Sequence, residues 1–123
     1  MSGEIGKIVW RDLTVPEAER ILDFYGDVVG WQAADHPMGD CADFDIRTPG
    51  GETVAGICHA RGANASLPPQ WLIYVTVVSV EESAKRCRDL GGEVLDGPRP
   101  MGKTPFCVIR DPAGAVLALV ESE

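Results

Sequence analysis

The fold of this chain is decided by residues 71–92, WLIYVTVVSVEESAKRCRDLGG. Its first seven residues are apolar, aromatic or β-branched, which is typical of a buried strand. Ser79 stands three residues before Glu82, and this capping-box spacing predicts that a helix begins there. Gly91-Gly92 supplies the flexible backbone on which helices commonly end. The stretch therefore predicts a strand followed directly by a helix.

An earlier part of the chain has the same pattern at a constant offset. Leu13-Thr14-Val15 corresponds to Val75-Thr76-Val77, and Gly30 corresponds to Gly92, an offset of 62 (75 minus 13, 92 minus 30). Pro16 suits a first helical turn, because its missing N–H has no intrahelical partner there. We therefore predict a helix from Pro16 to Val29, preceded by a strand that runs to about Val15.

Short apolar or alternating runs between turn signals complete each half. The predicted further strands are 31–34, 43–48 and 53–59, then 93–95, 105–110 and 115–121. Two βαβββ modules, residues 5–60 and 71–121, follow from this order, with residues 61–70 as a linker. Periodicity predicts that the first helix buries Ile21, Leu22, Tyr25, Val28 and Val29, and that the second buries Val80, Ala84, Cys87 and Leu90. We expect an α+β fold whose mixed sheets curl around a cleft.

Composition excludes several classes of function. The 123 residues carry a net charge of −8, which argues against nucleic acid; this charge either favours a cationic ligand or only aids solubility. No apolar run is long enough to span a bilayer, and Met1-Ser2-Gly3-Glu4 does not open a signal peptide. We expect a cytoplasmic protein whose thiols, Cys41, Cys58, Cys87 and Cys107, are reduced.

The chain resembles the vicinal oxygen chelate superfamily, which includes glyoxalases, bleomycin resistance proteins and extradiol dioxygenases. The motifs that carry the resemblance are Leu13-Thr14-Val15-Pro16, Asp23-Phe24-Tyr25, Gly30-Trp31, Gly51 to Gly56-Ile57, Trp71 to Val75, Leu90-Gly91-Gly92 and Asp111-Pro112-x-Gly114. The resemblance covers nearly the whole chain. It implies paired modules around a pocket, often in a homodimer, and it implies fold more firmly than function.

The resemblance also locates the positions that hold a metal in metal-dependent relatives, where four ligands are usually His and Glu. Those positions here are Trp10, Gly56, Leu72 and Ala118. None of these side chains can bind a cation, because a divalent ion needs oxygen, nitrogen or sulfur ligands. We therefore expect no metal and no other cofactor at this site. His36 is predicted to lie in a loop, and His59 on the surface or facing the first helix.

Alternation along the strands predicts what lines the cleft instead. Beside Trp10 and Leu72 we expect Asp12, Tyr74 and Thr76, and beside Gly56 and Ala118 we expect Val54, Cys58, Val116 and Val120. Phe106, Val108 and Arg110 are alternate residues of one strand and therefore share one of its faces. The sequence leaves open whether that face lines the cleft. The predicted ligand-binding residues are Trp10, Asp12, Cys58, Leu72, Tyr74, Thr76, Phe106 and Ala118. Such a mostly apolar pocket suits a small organic molecule with an aromatic or cationic part.

Asp12 and Tyr74 are the candidate acid/base residues. A carboxylate beside Trp10 would lose hydration, and this favours its protonated form and suits it to proton transfer. Each residue also has a structural interpretation: Trp10 can fill the cleft, Tyr74 can be a packed residue with a bonded hydroxyl, and Cys58 can be a small buried filler.

Four functions stay open at this point. The first is a metal-free protein that binds a cationic, aromatic molecule. The second is a metal-independent lyase, isomerase or hydrolase that acts on a small carbonyl compound. The third, a metal-dependent glyoxalase or dioxygenase, is disfavoured by the missing ligands. The fourth is a regulatory or structural protein whose pocket is filled by Trp10. A cleft open beside Trp10, with Asp12 and Tyr74 exposed to it, would favour the first two, and a cleft filled by Trp10 and Phe side chains would favour the fourth.

Overall fold

A computed structural model describes residues 3–35, 44–62 and 65–123. The residues of our predictions that lie outside these ranges are His36, Cys41, Asp43 and Asn64. Within the described residues the chain forms eight strands and two helices, and their order confirms the α+β class and the doubled βαβββ arrangement. The elements are β1 (Ile8–Val15), α1 (Ala18–Val29), β2 (Gln32–Asp35), β3 (Phe44–Arg47), β4 (Thr53–His59), β5 (Trp71–Val77), α2 (Val80–Asp89), β6 (Glu93–Met101), β7 (Thr104–Arg110) and β8 (Val116–Glu121).

The chain divides into two compact units. The first unit is residues 11–71, and the second unit is residues 1–10 together with residues 72–123. Strands β1 and β5 each cross this division, so the first three residues of β1 belong to the second unit. No helix of the described residues is long and apolar enough to cross a bilayer.

In the first unit the strand order is β2-β3-β4-β1, with β4 and β1 parallel and the other pairs antiparallel. Helix α1 packs on one face of this sheet. The buried residues of that core are Leu13, Val15, Ala18, Ile46, Ala55 and Ile57. Ala18 belongs to α1 and Ile46 to β3, and the other four are odd positions of β1 and β4, as the period of two along a strand requires.

Three aromatic rings pack against the same core. The rings of Tyr25, Trp31 and Trp71 lie 5.5–5.6 Å apart, measured between centroids. The indole N–H of Trp71 donates a hydrogen bond of 3.0 Å to the Tyr25 hydroxyl. Trp31 and Trp71 both pack against the core of the first unit.

In the second unit the strand order is β5-β8-β7-β6, with β5 and β8 parallel and the other pairs antiparallel. Val80 and Ala84 of α2 pack with Cys107 and Leu119 to form its core. The chain before β1 also lies along β5. Gly6 N–H donates to Thr76 O at 2.8 Å, and Thr76 N–H donates to Lys7 O at 3.0 Å.

The helix ends follow the sequence signals. Gly30 ends α1 with a left-handed φ of 86°, and its N–H donates to Gly26 O. Ser79 caps α2, since its hydroxyl accepts from Glu82 N–H at 3.2 Å. A second cap comes from Glu121, whose carboxylate accepts from Val80 N–H at 3.0 Å.

The buried stripes of both helices are shorter than predicted. Val28 and Val29 are 64% and 50% exposed, and Leu90 is 77% exposed. The core of the first unit ends at Tyr25 and Trp31, which contact each other. The last turn of α1 lies beyond this contact. Leu90 is the C-cap of α2 rather than a helical residue, so it leaves the helical path before it can join the stripe.

Two irregular strands also differ from the predictions. Strand β6 continues to Met101 instead of ending at Leu95. Its register with β7 shifts twice between Val94 and Arg99, and the strand stays paired with β7 beyond these shifts. In β4 the register shifts beside Val54, because Ile46 pairs with Ala55 whereas Arg47 pairs with Thr53. Such a bulge reverses the alternation. Val54 therefore packs against the helix-side core, and the prediction that it shares a face with Gly56 is wrong.

The close approach of Gly92 to its surroundings is a testable constraint. A Cβ at this position would lie 2.6 Å from Cys87 Sγ and 2.9 Å from the backbone oxygen of Arg110. The thiol can rotate, but the backbone of β7 cannot yield without disturbing the sheet. We expect Gly92→Ala to lower the free energy of unfolding in urea by about 1–3 kcal/mol, the usual range for overpacking.

Gly50→Ala is the matched control. A Cβ at this turn residue would meet nothing closer than Thr48 Oγ1 at 3.7 Å, an ordinary contact. We expect it to change the free energy of unfolding by less than about 0.5 kcal/mol. Equal effects of the two substitutions would contradict this account of Gly92.

Candidate functional site

In each unit one face of the sheet packs on the helix, and the opposite face is called here the helix-free face. In the second unit Val75, Val77, Cys107 and Leu119 pack on the helix side. Because side chains alternate along strands, their neighbours point the other way. The helix-free face of the second unit consists of Leu72, Tyr74, Thr76, Phe106, Val108, Ala118 and Val120. The register thus places Phe106 on the same face as Tyr74 and Ala118, a point that the sequence left open.

This face is fully buried, since none of its seven side chains is more than 2% exposed. Asp12 in the first unit is also only 1% exposed. Exposure of Asp12 and Tyr74 would have marked an open site. A ligand can therefore reach these two residues only if part of the chain moves.

Two aromatic rings stack on the helix-free face of the second unit. The ring centroids of Tyr74 and Phe106 lie 6.4 Å apart, and the ring planes are inclined by 28°. The rings come from β5 and β7, and β8 runs between these strands. Tyr74 is paired with Ala118, whose methyl group leaves room above the strand for the two rings to meet.

A charged pair borders this stack. The guanidinium carbon of Arg99 lies 4.7 Å from the centroid of the Phe106 ring, a cation–π geometry. Nε and Nη2 of Arg99 each donate a hydrogen bond of 2.8 Å to one carboxylate oxygen of Asp96. This bidentate pairing fixes the position of the guanidinium over the ring.

Sequence reasoning missed Asp96 and Arg99 because the predicted strand ends at residue 95, whereas β6 extends to Met101. Gly97 has a left-handed φ of 82°, and a Cβ there would lie only 2.7 Å from Phe106 O. The glycine thus lets β6 follow β7 closely enough to pair Arg99 with Phe106. The sequence does contain a signal for the pair. Asp96 and Arg99 stand on either side of Gly97, the residue type that a left-handed backbone requires.

Thr76 has an unusual environment. Its side chain is completely buried, and Oγ1 has no hydrogen-bond partner. In the described part of the chain it is the one buried side-chain oxygen or nitrogen of which this is true. Removing a hydroxyl from water without a new hydrogen bond typically costs about 1–3 kcal/mol. Groups in this state often mark the place of a water or a ligand.

The predicted ligand-binding residues divide between the units. Trp10, Leu72, Tyr74, Thr76, Phe106 and Ala118 belong to the second unit, whereas Asp12 and Cys58 belong to the first. Trp10 is half-buried and the other seven are buried. The assignment of these eight residues to a binding site stays a prediction.

On the helix-free face of the first unit two carboxylates lie in one row. Asp12 on β1 pairs with Gly56 on β4, and Gly56 pairs in turn with Asp45 on β3. Asp45 was not among the predicted residues, although it alternates with Phe44 and Ile46, which pack on the helix side. Its carboxylate lies 3.8 Å from the guanidinium of Arg47.

Cys58 and His59 lie on opposite faces of β4. Cys58 pairs with Thr14, is fully buried and forms no disulfide. His59 faces α1, as predicted, and its Nε2 lies 2.8 Å from Oε1 of Glu19. The two side chains therefore cannot act on one substrate or share one metal ion.

The four positions implied for a metal do not fit one. Gly56 has no side chain, and Leu72 and Ala118 are buried aliphatic residues that offer no lone pair. Across residues 3–35, 44–62 and 65–123 no three His, Cys, Asp or Glu residues are grouped as metal ligands are. The chemistry of this chain is therefore derived below from its own side chains.

A family model described as Glyoxalase/Bleomycin resistance protein/Dioxygenase superfamily matches residues 5–119. Among curated proteins, CFP32 of Mycobacterium tuberculosis, provisionally named a glyoxylase, is 24% identical over 119 residues, which are 96% of this chain and 45% of CFP32. The anthracycline biosynthesis protein DnrV of Streptomyces peucetius is 26% identical over 121 residues, 98% of this chain and 43% of DnrV. The chain thus spans less than half the length of these relatives.

Among solved structures, a methylmalonyl-CoA epimerase of Streptomyces coelicolor in complex with 2-nitronate-propionyl-CoA is similar to this chain. The TM-score is 0.56 and the identity 17%, and the match covers 97% of this chain and 99% of the epimerase. At this identity the likeness concerns the fold alone.

The buried thiol of Cys107 gives a prediction for the core beneath this site. Burial, and then the neighbouring Cys87, raises the pKa of Cys107 from 9.0 to about 11. The unfolded chain then loses this proton at lower pH than the folded chain. The resulting contribution to stability is full below pH 9 and is lost as the pH rises towards 11. We expect the free energy of unfolding to fall there by at most about 1.4 kcal/mol per pH unit.

Urea unfolding under reducing conditions at pH 8.5, 9.5 and 10.5 measures this slope. Cys107→Ala should remove its share of the slope, whereas Cys87→Ala should keep most of it. An unchanged slope in Cys107→Ala would show that other groups produce the pH dependence.

Proposed function

The chain belongs to the Glyoxalase/Bleomycin resistance protein/Dioxygenase superfamily, and from this premise we propose that it binds a small organic molecule on the helix-free face of its second unit. The contact residues in this proposal are those that lie in that unit, namely Trp10, Leu72, Tyr74, Thr76, Phe106 and Ala118. Neither a metal at the family position nor another cofactor is required.

The observation that carries the proposal is the buried hydroxyl of Thr76 beside the stacked rings. A face that served only as a core would be apolar or would satisfy its polar groups. This face instead holds a hydroxyl with no partner. Thr76 on β5 lies in one row across the sheet with Val120 on β8 and Phe106 on β7. Such a combination of ring surface and one directed polar group is typical of small-molecule sites.

The chemistry of the face favours a ligand with a flat, unsaturated part. Tyr74 and Phe106 present ring surface, and Arg99 already covers one side of the Phe106 ring. The net charge of −8 attracts a ligand that also carries positive charge. A homodimer in the cytoplasm, expected from the sequence, remains part of the proposal.

A second candidate is a metal-independent enzyme that acts on a small carbonyl compound, with Asp12 or Tyr74 as acid or base. The observation that favours it is the burial of the Asp12 carboxylate at 1% exposure in a row with Asp45. A carboxyl group held beside a substrate can take up or release a proton during the reaction. The epimerase that shares the fold acts on a CoA ester, so methylmalonyl-CoA is a reasonable first substrate to try.

Ligand binding is tested by thermal unfolding of protein treated with EDTA. The probes are benzyltrimethylammonium, bleomycin and methylmalonyl-CoA. We expect at least one of them to raise the melting temperature, because a ligand at 100 times its Kd stabilises the folded state by about 2.7 kcal/mol. If none does so, the face is a filled core and the binding proposal is wrong.

Phe106→Leu removes the stacking surface but keeps an apolar side chain. We expect it to reduce the ligand-induced shift by at least half. Phe44→Leu is the matched control, because Phe44 packs near His59 on the helix side of the first unit. An equal loss in both variants would point to general destabilisation rather than to a binding contact.

Asp12→Asn separates the two candidate functions. It replaces the carboxyl group by an amide of the same shape, which cannot exchange a proton. We expect the substitution to leave the probe-induced thermal shift within about a factor of two in Kd, because binding rests on the second unit. If wild-type protein exchanges the α-proton of methylmalonyl-CoA in D₂O and Asp12→Asn is at least about 100-fold slower, the enzyme is the better description.

A further inference from the structure

We infer that the Thr76 hydroxyl is the hydrogen-bond donor for a carbonyl-type oxygen of the ligand, and that residues 3–5 form a strap that covers this hydroxyl until the ligand enters. The inference rests on the proposed binding function and specifies its polar contact.

The first step concerns the chemistry of the hydroxyl. Thr76 Oγ1 is fully buried and has no partner, so its O–H group is available and strongly favours an acceptor. On the helix-free face its neighbours across β8 and β7 are Val120 and Phe106, which offer no acceptor in their side chains. An uncharged acceptor such as a carbonyl oxygen satisfies the hydroxyl without placing a net charge in this apolar surrounding.

The second step compares Thr76 with the residue at the same position of the repeat. Thr14 lies 62 residues earlier and is also buried, at 3% exposure. Thr14 pairs with Cys58 between the parallel strands β1 and β4. Thr76 pairs in the same way with Val120 between the parallel strands β5 and β8. Among the described residues Thr76 Oγ1 is the one fully buried side-chain oxygen or nitrogen without a hydrogen-bond partner, whereas Thr14 keeps a small exposure.

Residues 3–5 limit the access of a ligand to the Thr76 hydroxyl. A Cβ at Gly3 would lie 3.4 Å from Thr76 Oγ1, so the chain at residue 3 passes directly over the hydroxyl. Residues 3–5 are exposed to solvent on their outer side. Gly6 and Lys7 are bound to the backbone of Thr76, so they form a fixed end.

Gly6 provides the pivot for this strap. Its φ is 89°, and a Cβ built there meets nothing within 4 Å, so the turn is both left-handed and unobstructed. Movement of residues 3–5 about this pivot breaks the hydrogen bond of 3.0 Å that Lys7 N–H donates to Glu4 O, but it leaves the hydrogen bonds of Gly6 and Lys7 to β5 in place. This movement uncovers the hydroxyl without breaking the sheet.

The experiment uses two probes that differ in one oxygen, acetophenone and ethylbenzene, titrated into ¹⁵N-labelled protein and followed by NMR. We expect acetophenone to bind at least about tenfold more tightly than ethylbenzene, a usual contribution for one buried hydrogen bond. It should shift the amide signals of Glu4, Ile5 and Thr76. In Thr76→Val the two probes should bind equally, and Thr76→Ser should restore the preference.

Thr14→Val is the control, and it should leave the preference of wild-type protein unchanged. Equal binding of both probes to wild-type protein would overturn the inference and leave the proposed function intact. Failure of both probes to bind would count against the proposed function and the inference together.

A measurement without ligand gives a second test. We expect Thr76→Val to raise the melting temperature, because it removes a buried hydroxyl that has no partner and keeps the shape of the side chain. A clear fall in the melting temperature would mean that the hydroxyl is satisfied inside the folded protein, for example by a buried water. That result would overturn the inference on its own.

Discussion

The packing of α2 on the sheet of the second unit determines where its chemistry can lie. Val80 and Ala84 contact Cys107 and Leu119, and this contact assigns one parity of β5, β7 and β8 to the helix. Everything of the other parity, including Tyr74 and Thr76, then shares the opposite face. A shift of one residue in any of these strands would exchange its helix-side residues with those of the opposite face. The hydrophobic contact with the helix therefore also aligns the polar and aromatic groups.

The regular parts of the fold were predictable because they follow local rules. Strand β4 has the predicted bounds, and Gly30 and Ser79 act as the helix-end signals indicate. The repeat at an offset of 62 residues predicts the doubled order of elements, and that order indicates the family. The period of two also placed Tyr74, Thr76 and Ala118 on one face.

The irregular parts could not be predicted, because they depend on contacts between strands. The continuation of β6 past Gly97 requires the neighbouring β7, and the reversal at Val54 follows from how β3 pairs with β4. These two irregularities account for the main errors at the candidate site. The first hid Arg99 and Asp96, and the second assigned Val54 to the wrong face. Burial of Asp12 and Tyr74 was equally out of reach, because alternation gives the direction of a side chain but not what lies above it.

The aromatic group of the first unit makes that unit visible to spectroscopy. Trp31 and Trp71 stand 5.6 Å apart with their ring planes inclined by 70°, and Tyr25 touches both. Indoles held at this distance and angle couple their electronic transitions, which gives a strong circular dichroism signal in the near ultraviolet. Trp10, the third indole, belongs to the second unit. The dichroism of the coupled pair therefore reports on the first unit, whereas the second unit contributes a single indole to the fluorescence of the chain.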